Sequence, residues 1–333
     1  MYIETTYPWM PSKDMLYTDS CMKDGKPRHT QEYKKGEWYF GLPYTHMCGS
    51  LEKMQANLDK NGAVKESIKK TGWGRIIGND CADCVFWALQ TVSASPEYVL
   101  TDGMICENGM EMLGEYEIKT DEKGRRSTKE ICLATDEQKM YENYALLLLG
   151  DVIVKGPGGH TRMAAESACV YRNEDGTING VKSYVVTHEQ GGGVSDLQER
   201  HSACKTAKKY TFEKLYSDCY VTVTIPEYKT GVKTPVELSC DFEGTTVSAL
   251  KRASVTSNYR INFVTVVAKS GDKVVAEKSV FPANGSHNVT YSLGGIITPE
   301  FTQKLEDGKE YQVTVFVNQQ DDEHIAISKK LKK

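Results

Sequence analysis

Apolar positions in the first two thirds of the chain change period several times. Leu51 to Asp59, Cys81 to Val92 and Asp136 to Leu149 carry them at i, i+3 and i+4, which predicts helices. Asp151 to Val154, His160 to Tyr171, Val181 to Gln190 and Tyr220 to Ile225 are short and rich in β-branched residues, which predicts strands. Helices first and an antiparallel sheet later is an α+β order. Ser95 to Thr135, with its polar turns and charge clusters, reads as an insertion between the first helices and the sheet.

From Ile225 to Pro235 the chain passes through a Pro- and Gly-containing joint, and the period changes to two. Ile261 to Val267, Lys273 to Phe281, Asn288 to Leu293, Tyr311 to Val317 and His324 to Ser328 alternate between Gly, Asn and Asp turns, with no helical stretch among them. Short strands at this spacing predict an all-β sandwich of immunoglobulin or fibronectin type. The expected organisation is an α+β domain over 1–228 and a β-sandwich over 233–333.

The chain has 333 residues, 39% hydrophobic and 26% charged, enough for more than one core. A formal net charge of -4 gives no field to attract nucleic acid, so none is expected as a partner. No segment, Ala145 to Leu149 included, approaches the ~20 apolar residues that cross a bilayer, so no membrane span is expected. Met1 to Tyr7 shows neither the basic start nor the apolar run of a secretory signal; a secreted or cell-envelope setting with the signal absent from this chain and a cytoplasmic one both stay open. Ten cysteines at irregular spacing do not form a disulfide-scaffold pattern.

Candidate chemistry begins at Gly78-Asn79-Asp80-Cys81. Asn79 and Asp80 are good N-cap residues, so a helix is expected to start at Cys81. A thiol in a first helical turn meets the positive end of the macrodipole and unpaired backbone donors, both of which favour thiolate. An imidazole beside it would complete a nucleophile. His160 opens a predicted strand, and Asn173-Glu-Asp-Gly176 is a hairpin turn leading to His188-Glu189-Gln190. With the turn centred near Asp175, His160 lies opposite Gln190, with His188 on the same face. A one-residue shift puts Glu189 opposite His160 instead, because it exchanges faces. His160 is the expected base, and its partner stays open among His188, Glu189 and Gln190. Cys81 and Cys84 also form a Cys-x-x-Cys, but the strand order is not that of a redox unit and no second short-spaced pair completes a zinc site, so no metal or cofactor is expected.

The pattern resembles the NlpC-type cell-wall cysteine peptidases, a papain-like family. Asp80-Cys81-Ala82-Asp83-Cys84-Val85-Phe86-Trp87 is similar to the family's nucleophile motif, with Ala82 and Asp83 where Ser and Gly are usual. Gly150-Asp151 before Val152-Ile153-Val154, followed by Gly159-His160, resembles the next landmark. His188 stands where the family most often has its third polar residue, and Gly41-Leu42-Pro43-Tyr44 resembles the tyrosine segment that lines its site. The similarity runs from Gly41 to Ile225 and skips the insertion.

This resemblance implies a papain-like catalytic domain with a helix packed on an antiparallel sheet, and hydrolysis of amide bonds in peptidoglycan stem peptides. Cys81 would be the nucleophile, His160 the base and His188 its orienting partner, with substrate contacts expected from Tyr44, Asp80, Asp83, Trp87, Glu189 and Gln190. The implied partner is a cell-wall peptide, and the C-terminal domain would contact protein or glycan. Two rival readings use the same residues: a binding module with a vestigial site, and an acyltransferase or lipid amidase.

Overall fold

The computed structural model describes residues 7–18, 22–23, 26–27, 30–44, 54, 57–65, 78–94, 96, 99–191, 201–280, 289–319 and 322–333. The helix expected over Leu51 to Asp59 lies largely outside them. The chain divides into two compact units, Met1–Leu89 with Ser95–Val232 and Gln90–Ala94 with Lys233–Lys333. Each mixes helix with mostly antiparallel sheet, and strands predominate.

In the first unit, β1 (Pro8–Trp9), β2 (Met15–Thr18), β3 (Met22–Lys23), β4 (Lys26–Pro27), β5 (Thr30–Tyr33) and β6 (Tyr39–Phe40) are nested. They pair from the outside inward, β1 with β6, β2 with β5 and β3 with β4. Trp9, Tyr33 and Tyr39 meet with ring centroids 4.8 to 5.5 Å apart, a favourable aromatic geometry. These rings join Leu42, Tyr44, Cys81 and Trp87 in one buried cluster.

The chain continues through α1 (Cys81–Leu89), β7 (Glu111–Met112), α2 (Thr128–Ala134), α3 (Glu137–Ala145), β8 (Val152–Lys155), β9 (His160–Ala164), β10 (Tyr184–Gln190), β11 (Cys204–Thr211), α4 (Phe212–Ser217), β12 (Val221–Thr224) and α5 (Pro226–Thr230). Strands β7 to β12 form one sheet in the order β11-β10-β9-β8-β12-β7, antiparallel at every ladder. Val152, Ile153 and Val154 of β8 and all four residues of β12 are buried, so the middle of the sheet is covered on both faces. This is why these segments read as continuous β-branched runs. Helix α1 packs on β9 and β10, while α2 packs on β8 and β12.

Several expected boundaries move, each for a local reason. The helix expected from Asp136 to Leu149 becomes α3, capped by the Asp136 carboxylate and ended at Ala145. Beyond it, Asp151 accepts the Leu148 N–H at 2.7 Å and the Thr224 hydroxyl, and Gly150 takes a left-handed φ of 93°, which turns the chain into β8. Helix α1 stops at Leu89 rather than Val92, and β9 stops at Ala164 rather than Tyr171. The stretch read as an insertion supplies edge strand β7 and helix α2, so it belongs to the body of the unit.

In the second unit, β13 (Leu238–Cys240), β14 (Ser254–Ser257) and β17 (Thr290–Ser292) form one antiparallel sheet. Strands β15 (Phe263–Ser270), β16 (Lys273–Val280), β18 (Glu310–Gln319) and β19 (Asp322–Lys332) form another, in the order β16-β15-β18-β19. Tyr311, Val313, Val315 and Val317 of β18 point alternately inward and join Val255, Val264, Val266 and Leu331 in a single core. The pattern predicted no helix here, yet a 3-10 helix spans Val247–Arg252 and one α-turn, α6, spans Pro299–Thr302. Their Val247, Leu250 and Phe301 side chains complete that core.

Candidate active site

Helix α1 begins with reciprocal capping. The Asp83 N–H donates to Asp80 Oδ1 at 2.9 Å, and the Asp80 N–H donates back to Asp83 Oδ2 at 3.4 Å. The first helical carbonyl bond, from Cys84 N–H to Asp80 O at 3.1 Å, makes Cys81 the first residue of the helix. A backbone N–H at that position has no partner within the helix. Only Ala88 of α1 is not fully buried, so the helix is enclosed all round rather than along one stripe. Cys81 is itself a free thiol, 6% exposed.

The imidazole that reaches this thiol is on β9. The Cys81 sulfur lies on the helix packed against this strand, beside the His160 ring whose charged form it favours, and His160 Nε2 meets Glu189 Oε2 at 2.9 Å. With Nε2 occupied by the carboxylate, Nδ1 is the nitrogen left for the sulfur. The His160 side chain is 23% exposed and the Glu189 side chain 2%. A thiol, an imidazole and a buried carboxylate therefore stand in a chain, drawn from α1, β9 and β10.

The parity of the hairpin register selects Glu189. Thr187 pairs with Ala164 and His188 with Met163, so Thr187 and Glu189 share a face with Ala164, Arg162 and His160. Burial along β10 agrees: Val185, Thr187 and Glu189 are buried, while Tyr184, Val186 and His188 are half-buried. The hairpin is not continuous. Between the Arg172–Ile178 and Cys169–Tyr184 bridges the second arm carries three extra residues, and between there and the Ala164–Thr187 pair the first arm carries two. The net offset of one residue exchanges faces relative to the symmetric count.

His188, expected as the orienting partner, is thus on the opposite face, and that expectation is corrected. In the ladder from β10 to β11, Thr187 pairs with Lys208 and Glu189 with Lys205, so two residues, Thr206 and Ala207, oppose His188 alone. The N–H of Ala207, at a left-handed φ of 55°, donates to His188 Nδ1 at 3.2 Å. Burial lowers the pKa of His188 and keeps that nitrogen an acceptor. His188→Ala is expected to leave the rate of Cys81 alkylation by iodoacetamide unchanged and to lower unfolding free energy by about 1 kcal/mol, read from denaturant titration.

Glu189 gathers several donors. Oε2 accepts from His160 and from Arg162 Nε, and Oε1 accepts from the Tyr210 hydroxyl at 2.7 Å, with Lys208 Nζ at 3.9 Å. Burial alone would raise the carboxyl pKa; the His160 bond and charge, the Arg162 charge and the Tyr210 hydroxyl outweigh it and hold Glu189 ionised, well below the usual carboxylate range. For His160, burial works against the charged form, but the Cys81 sulfur and Glu189 overcome it and raise the ring above the ordinary imidazole value.

Family models, curated proteins and solved structures give no match to this chain.

The remaining expected residues take other places. Asp80 is 5% and Asp83 0% exposed, and both carboxylates are engaged at the helix start, which corrects their reading as substrate contacts. Trp87 is 1% exposed within the aromatic cluster, a core ring rather than a cleft wall. Gln190 is buried, and its Nε2 donates to Leu42 O at 2.8 Å, tying β10 to the segment that leads into Tyr44. Tyr44 forms a bridge with Asn79 and packs in the same cluster as Cys81. Among the described residues no group of three or more His, Cys, Asp and Glu side chains is placed to hold a metal ion. Sequence reasoning missed Arg162, Tyr210 and Tyr220. Arg162 lies two residues after His160, the spacing that puts side chains on one face of a strand, and that signal was available.

Proposed function

We propose that the chain is a cysteine-dependent amide hydrolase of the papain-like NlpC type, acting on peptide bonds of peptidoglycan stem peptides. One observation carries this reading: the chain from Cys81 through His160 to Glu189, with the sulfur at a helix start and the carboxylate buried. The proposed steps follow from those atoms. His160 Nδ1 takes the thiol proton, the sulfur attacks the amide carbonyl, and the Cys81 backbone N–H helps to hold the resulting oxyanion. The imidazolium then gives its proton to the departing amine, leaving a thioester. Water, deprotonated by the same ring, releases the acid and restores the thiol. In this reading the sheet with α1 against β9 and β10 is the papain-like domain, and the two sheets of the second unit form an immunoglobulin-like sandwich. The stem-peptide substrate rests on motif resemblance, and the hydrolytic chemistry rests on the three side chains.

The deciding experiment is incubation with purified peptidoglycan fragments followed by mass spectrometry. New stem-peptide termini, absent with Cys81→Ala, are the expected result; fragments left intact by the wild type would rule out this substrate.

A further inference from the structure

Glu189 does not serve His160 alone. Its Oε2 also accepts from Arg162 Nε, so an imidazole and a guanidinium share one carboxylate oxygen. Arg162 is 8% exposed, and its guanidinium carbon lies 4.2 Å from the centroid of Tyr210 and 4.4 Å from that of Tyr220. Two aromatic faces grip a planar cation in this way more rigidly than they could a lysine. Tyr210 also donates its hydroxyl to the other oxygen of Glu189, so one tyrosine contacts both members of the buried pair.

A buried carboxylate bonded only to His160 would orient the ring, but it would also hold the imidazolium proton tightly. An acid that must protonate a leaving amine works best with a pKa near the working pH. A fixed positive charge on the same oxygen draws charge away from the imidazolium contact and repels the imidazolium directly. We infer that Arg162, clamped between Tyr210 and Tyr220, is a positioning residue that fixes Glu189 and weakens its hold on the His160 proton, so that the proton can pass to the departing amine. The consequence for amide turnover rests on the hydrolase reading above; the electrostatic role does not. The other groups around His160 are Cys81 and the Asp80–Asp83 pair at the start of α1, Glu189 on β10, and Tyr210 and Lys208 on β11. Lys155 on β8 is also present, paired across from His160 with its ammonium 5.8 Å from the Tyr220 centroid.

The test is an NMR titration of the His160 ring in histidine-labelled full chain carrying Cys81→Ala, where no thiol titrates beside it, with the signal assigned through His160→Gln. Adding Arg162→Met is expected to raise the His160 pKa by about one unit. Arg162→Lys, which keeps the charge, leaves it near the parent value. Tyr210→Phe, which removes one donor from Glu189 and keeps the fold, gives a smaller upward shift and decides the matter if Arg162→Met does not fold. In the Cys81-containing protein, Arg162→Met is expected to lower kcat on a stem-peptide amide about tenfold or more with KM little changed. Hydrolysis of p-nitrophenyl acetate, whose leaving group needs no proton, falls much less. A His160 pKa that stays put or drops overturns the role of Arg162. A full shift without any Cys81-dependent turnover upholds the electrostatic role and removes only the hydrolase reading.

Discussion

Cys81→Ser is expected to lower turnover of peptidoglycan fragments by about four to six orders of magnitude, with the fold retained. The loss is this large because nucleophile, base and carboxylate act as one unit: a serine hydroxyl at the same place cannot be ionised by an imidazole that readily ionises a thiol. The substitution is nearly isosteric and Cys81 makes only part of its aromatic cluster, so thermal unfolding should shift little. A check that needs no substrate is peptide mapping after brief iodoacetamide treatment at mildly acidic pH. Cys81 should label ahead of the other described thiols. Burial pushes the Cys132 thiol far up, with Cys219 beside it adding to the rise, and burial also raises Cys240. His160 sets the upper pH limit. Its folded pKa is raised, so the charged ring and the stability it contributes are fully present below the ordinary imidazole value and are lost as pH rises through the folded one. Labelling of Cys81 no faster than that of Cys106, which is exposed, would contradict an activated thiol.

What could be read in the sequence follows from how local each determinant is. The start of α1 was legible because capping is decided within four residues, Asp80 to Asp83, and both partners lie there. The strands of the second unit were legible because β18 and β15 are rich in β-branched residues, and along β18 buried and half-buried positions alternate. The short helices of that unit were not: Pro299–Thr302 is too short to display a helical period. The third member of the site was not legible because it depends on parity. Counting from the Asn173–Gly176 turn assumes equal arms, whereas three extra residues in one arm and two in the other leave a net slip that the turn sequence cannot reveal. Arg162 escaped notice for a related reason. Its partners Glu189, Tyr210 and Tyr220 come from three other places in the chain, and only the sheet order brings them onto one face.

Glu189 is where the largest stability effect should appear, and its two replacements separate stability from chemistry. Glu189→Ala leaves the Arg162 guanidinium buried between two tyrosines without its anion, and breaking such a buried pair from one side is expected to cost about 3–5 kcal/mol in urea unfolding at pH 7. Glu189→Gln keeps the shape and one acceptor oxygen, so it should cost less. It no longer stabilises an imidazolium, however, and turnover should drop by about two to four orders of magnitude. The acid side carries a further sign. The Glu189 pKa is depressed in the fold, so its contribution is complete above the ordinary carboxylate value and is lost as pH falls below it toward the folded one. The stability gap between wild type and Glu189→Gln should therefore narrow by about 1 kcal/mol between pH 5, where His160 is already charged in the wild type, and pH 3.5. A gap that stays the same at pH 3.5 would mean that the carboxylate charge contributes nothing to the fold. A Glu189→Gln protein with undiminished turnover would mean that His160 does not need this partner. Together the two replacements decide whether the buried carboxylate serves Arg162, His160 or both.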